Sequence, residues 1–142
     1  MVYSINENPL NSMMYYYGPA KDGADMLQMS RLVICSGAFG GSSLKQLELY
    51  LTHPQGLTLE ILGSMGLGKA RKRFQREGRE PKALAQKIPG GWTVGDKQRC
   101  ENSSEYPEEL AEAFFRLAEA SYKRYRVKRS TLQADRSFKE TL

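Results

Sequence analysis

A chain of 142 residues, 40% apolar and 26% charged, has the size and composition of one globular domain. It holds no run near the ~18 apolar residues a membrane span needs, and its first ten residues lack the layout of a secretion signal, so a cytoplasmic protein with no membrane partner is expected. Two cysteines and one histidine offer no paired ligand spacing, which argues against a metal site, and no cofactor is expected.

Residues 1–23 mix Asn, Pro and Gly around the cluster Met13–Tyr17 without any period, and read as an N-terminal arm. Tyr15, Tyr16 and Tyr17 either pack back onto the domain or stack on bases or dock against a protein partner. A helical domain is expected over residues 24–126. Met26, Leu27, Met29, Leu32 and Val33 have helical spacing and predict a helix over Ala24–Cys35, with Cys35 a small buried hydrophobe. Nothing in the spacing argues for a Cys35–Cys100 disulfide. Ser36-Gly37 and Gly40–Ser43 break the chain. Ser42 or Ser43 then caps a predicted helix through Tyr50 or Leu51, with Leu44, Leu47, Leu49 and Leu51 as its apolar positions. His53-Pro54-Gln55-Gly56 is a turn signal that leaves His53 at the surface.

Thr58 caps a short predicted helix containing Leu59, Ile61 and Leu62, which Gly66 ends. A basic helix follows over Leu67–Glu77, bracketed by Gly78 and Pro81, with one further turn over Lys82–Lys87. Ile88–Gly95 reads as a tight turn beside a short β segment. Pro107, Glu108 and Glu109 suit the positive end of a helix running to Arg126, with Leu110, Phe114, Leu117, Ser121, Ala118, Tyr122 and Tyr125 facing inward. Residues 127–142 read as a basic tail with little apolar content. The expected fold class is mainly α: a compact helical domain with a helix-turn-helix-like unit and a short β wing.

Charge is unevenly placed. Ten basic and three acidic residues lie between 69 and 99, one and six between 100 and 119, and seven and two between 120 and 142. Localised basic charge is the footprint of a polyanion binder, unless neighbouring blocks neutralise each other across the fold. The densest basic run follows Gly63-x-x-x-x-Gly68-Lys69, which fits the first seven positions of a phosphate-binding loop. Ala70 stands where that loop needs a hydroxyl for magnesium, and no downstream strand ends in Asp. Triphosphatase chemistry is set aside on those grounds.

The same residues resemble the helix-turn-helix pattern over residues 57–78. Thr58–Met65 would be the first helix, Gly66 the sharp turn and Leu67 the apolar residue after it. The recognition helix would begin near Gly68, and Lys72 departs from the pattern where an apolar residue is usual. In that resemblance the helix presents Lys69, Arg71, Lys72, Arg73 and Arg76. The localised charge, more than the resemblance, leads to the expectation of a DNA or RNA partner contacted by Lys69, Arg71, Lys72, Arg73, Arg76, Arg79, Lys82 and Lys87. About five phosphate contacts would give a log–log salt slope of roughly −4 to −5 on duplex DNA. No Ser/His/Asp or Cys/His constellation is legible, and Asp22, Asp25 and Glu48 are scattered, so no catalysis is expected. The alternative is a non-enzymatic interaction subunit or adaptor of a larger assembly, engaged through Tyr15–Tyr17 or the C-terminal tail.

Overall fold

Gln28 decides the first departure from those expectations. The computed structural model describes residues 3–12, 18–82, 85–87, 93–95 and 106–141. Its first helix, α1, spans Gly18–Met26 and stops because Gln28 adopts a left-handed backbone, φ 52°. The Met29 amide then donates back to the Ala24 carbonyl at 3.0 Å, closing the helix end without a glycine. Residues Ser30–Cys35 leave that turn as strand β2 rather than as more helix. Residues Gln46–Leu51, also expected to be helical, form strand β3. Strand β1, Ile5–Pro9, precedes both.

The three strands form an antiparallel sheet in the order β1-β3-β2. The mainly α expectation, with a small wing as its only β structure, is therefore corrected: the fold is mixed α/β around this sheet. The β1-α1-β2 unit is a split crossover with β3 inserted between its two strands. Register explains the sequence of β3. Leu47, Leu49 and Leu51 pair with Ile34, Leu32 and Ser30 on one side, and Leu51 pairs with Ile5 on the other. Alternation by two puts the three leucines on one face, where all are buried.

The opposite face of β3 carries Glu48 and Tyr50. Glu48 is 1% exposed, and its Oε1 accepts from Arg31 Nε at 2.6 Å and from the Tyr50 hydroxyl at 2.7 Å. The Arg31 guanidinium, then the Tyr50 hydroxyl, hold the Glu48 carboxyl below the usual carboxylate range against the opposing effect of burial.

Helices cover the leucine face. After β2 a 3-10 turn, Ser36–Phe39, ends on Gly40 at φ 89°. Helix α2 spans Gln55–Leu62, α3 spans Leu67–Glu77 and α4 spans Glu108–Thr141. Leu62, Ala70, Leu110, Ala113 and Leu117 join Ile34, Leu47, Leu49 and Leu51 in one buried cluster. Helix α4 buries Leu110, Ala113, Leu117 and Ser121, spaced for one helical face. Ala118 and Tyr122, expected to face inward, are exposed, and the helix continues past Arg126. A separate antiparallel pair joins β4, Ala85–Lys87, to β5, Thr93–Gly95, so Lys82–Lys87 is not a helical turn.

His53 is a second correction. It is buried, and its ring stacks on Tyr3 with centroids 5.1 Å apart. Burial pushes its pKa below the model-peptide value of 6.5. The unfolded chain then binds more protons than the folded one below about pH 6.5, so folding stability falls as pH drops through that region. Melting temperature followed across pH ~5 to 8 should show this fall, and His53→Phe should flatten it. An unchanged profile in the variant would remove His53 from the account.

Candidate nucleic-acid interface

The basic segment is a helix because both ends are set by backbone geometry. Gly66 precedes α3 in an extended conformation, and Gly78 follows it at φ 64°. The Gly78 and Arg79 amides donate to the Gln75 and Phe74 carbonyls at 3.2 and 3.0 Å, a left-handed glycine cap. A four-residue turn, 63–66, separates α2 from α3. Residues 57–62 are therefore helix, not the strand that a phosphate-binding loop needs.

Ala70 and Phe74 fix the orientation of α3, since both are buried beside Gly37 of the 3-10 turn and Ala70 belongs to the core cluster. With 100° per residue, Lys69, Lys72 and Arg76 fall within about 60° of one another on the opposite side. All three are exposed, and none has an ion-pair partner among the described residues. Lys72, the departure from the helix-turn-helix pattern, is thus solvent-facing, and the buried role falls to Ala70 and Phe74. Arg71 is exposed beside a groove of about 500 Å³ lined by Leu44, Phe74, Gln75, Arg79 and Pro81. Lys82 is exposed too, its backbone amide tied to the Ser42 carbonyl at 2.9 Å.

Two of the expected contact residues are otherwise engaged. Arg73 Nε meets Glu77 Oε1 at 2.6 Å, its Nη2 meets Glu109 Oε1 at 2.8 Å, and its Nη1 donates to the Ala38 carbonyl at 3.1 Å and to Glu109 Oε2. These carboxylates, Glu109 foremost, raise the guanidinium's pKa further. Arg73 therefore ties α3 to the 3-10 turn and to the start of α4. Arg79 stacks over the Phe74 ring at 4.7 Å and reaches Glu77 at 2.9 Å. Partial neutralisation between the basic and acidic blocks is real, but it is concentrated at Arg73.

The backbone of Lys87 lies in β4; its side chain is outside the described residues. Tyr15–Tyr17, Cys100 and the Pro89-Gly90-Gly91 turn also lie outside them. Cys35 is buried and free, and burial pushes its thiol pKa up. Among the described residues no group of His, Cys, Asp and Glu could hold a metal ion, and no helix is long and apolar enough to cross a membrane.

The sequence reading left Lys123, Arg124, Arg126, Lys128 and Arg129 out of the candidate site. They lie exposed along α4, on the C-terminal side of the buried Ser121. Their density was visible in the sequence; the continuation of the helix beneath them was not.

No family of known proteins, no curated protein and no solved structure matches this chain.

Proposed function

We propose that this protein binds nucleic acid by contacting backbone phosphates through the exposed face of α3. The observation that carries the proposal is the stripe Lys69, Lys72 and Arg76, which lacks ion-pair partners among the described residues while Arg73 absorbs the nearby carboxylates. Arg71 and Lys82 flank it. Such a surface neutralises phosphates and releases counterions, giving affinity that depends on salt more than on sequence. The reading is non-enzymatic. It includes cytoplasmic residence, with which the free, buried Cys35 agrees.

The test is binding to duplex DNA, single strands and structured RNA, each titrated with salt. Five exposed cations predict a log–log slope of roughly −4 to −5 on duplex DNA. The triple substitution of Lys69, Lys72 and Arg76 by Ala should flatten that slope by about 3. Arg73→Ala should instead weaken the fold and leave the slope nearly unchanged. Equal slopes for the wild type and the triple variant would sink the proposal.

A second reading, a protein-interaction subunit, is favoured by one observation: the exposed apolar residues Phe115, Tyr122, Val127 and Leu132 of α4.

A further inference from the structure

Helix α4 has two apolar faces, and only one is covered. The covered face holds Leu110, Ala113, Leu117 and Ser121. The other holds Ala111, Phe115, Ala118, Tyr122, Tyr125, Arg129 and Leu132, spaced alternately by four and three residues. That is the spacing of a coiled-coil seam. Every seam residue is exposed except the half-buried Tyr125, and Phe115, Tyr122 and Leu132 are 70%, 58% and 62% exposed. The helix also runs on to Thr141, and residues 122–134 include no buried side chain. A largely polar helical extension is marginal in water without packing.

Charge along α4 selects the occupant. Residues 108–119 carry four Glu and one Arg, whereas residues 120–132 carry two Lys and three Arg and no acidic residue. A parallel pair of these helices would set like charges side by side. An antiparallel pair sets the acidic half of each against the basic half of the other.

We infer that two copies of this chain dimerise through antiparallel pairing of α4. The twofold axis passes between Lys123 and Arg124. Phe115 then meets Leu132 of the second copy, Tyr122 meets Tyr125, and the small Ala118 meets the aliphatic stem of Arg129. Glu119, at the flank of the seam, faces Arg126 of the second copy and exchanges its exposed pair with Lys123, at 3.1 Å, for an intermolecular one. The seam from Ala111 to Leu132 covers about 30 Å of helix. This interface does not use α3, so it stands or falls separately from nucleic-acid binding.

Sedimentation equilibrium on the full chain tests it. Wild-type protein should reach the dimer mass at micromolar concentration. The double variant F115Q/L132Q should be monomeric, with its cooperative unfolding transition kept and its helical circular dichroism lowered only by the unpacked end of α4. Glu119→Arg alone should weaken the dimer about tenfold, since two symmetry-related pairs become repulsive. Arg126→Glu alone should do the same, and E119R/R126E in one chain should restore wild-type association. A monomeric wild type, a trimer or tetramer mass, or a double charge reversal no tighter than the single variants would each overturn the antiparallel dimer. In the first case the seam belongs to a different partner.

Discussion

Replacing Gly37 with valine should lower the unfolding free energy by roughly 2–3 kcal/mol, the cost of overpacking a filled interior. A Cβ at Gly37 would lie 2.7 Å from Phe74 Cε2, 2.9 Å from the Ser43 carbonyl oxygen and 3.3 Å from the Ala70 Cβ. One of these atoms is backbone, and Phe74 is held by its burial and by Arg79 above it. Relief therefore requires α3 to lift from the 3-10 turn. Because α3 carries the proposed phosphate-contacting stripe, the valine variant should also lose affinity at low salt, although no charge is removed. Denaturant unfolding measures the first effect and the binding titration the second. A variant that unfolds at the wild-type midpoint would show that the helix can accommodate the extra volume, contrary to the close approach described.

Leu117→Ala should cost about 3 kcal/mol, within the usual range for a leucine removed from a core. Leu117 has no exposed surface and belongs to the cluster that joins α4 to the sheet. Phe115, two residues earlier, is a larger side chain but 70% exposed. In dissociated protein Phe115→Ala should change stability by less than about 0.5 kcal/mol. The pair of measurements separates the two faces of α4: one face is needed for folding, the other for association. Comparable losses in both variants would mean that Phe115 packs within its own chain.

The position of α3 and the start of α4 were legible in the sequence because their punctuation is local, whereas α2 begins at Gln55, inside the expected turn, and holds Thr58, its expected cap, in its interior. Gly63–Gly66, Gly78 and Pro107-Glu108-Glu109 act through backbone freedom, a fixed φ or a helix dipole, each readable over a few residues. The sheet was not legible, for two identifiable reasons. Leu44, Leu47 and Leu51 fit a helical period while Leu47, Leu49 and Leu51 fit a strand period, and only packing against Ile34, Leu32 and Ile5 selects between them. Upstream, the break between α1 and β2 rests on Gln28 in a left-handed conformation, a role for which glycine is the readable signal. Apolar residues at helical spacing on both sides of Gln28, from Met26 to Val33, concealed it.

The site was legible as a density of charge but not as a geometry. Eight cations were nameable from the basic segment. Arg73 was separated from Lys69, Lys72 and Arg76 only by the position of Glu109, 36 residues away in the chain. His53 misled for a similar reason. Its neighbours Pro54 and Gly56 mark a turn, yet Tyr3, from the other end of the sheet's sequence, covers its ring.

The turn between α2 and α3 has an effect beyond setting the helix pair. Strand β2 lies at one margin of the sheet, and its Leu32-Val33-Ile34-Cys35 run is the kind of segment that recruits strands from other molecules. The Met65 carbonyl accepts the Cys35 amide at 2.8 Å, so the turn sits against that margin and takes up one of its hydrogen-bond donors. At the other margin, β1 is short, largely polar and closed by Pro9, a poor template for strand addition. Aggregation resistance in this protein thus rests on opposite devices at the two margins: a polar sequence at one, and at the other the residues that lead into the basic helix.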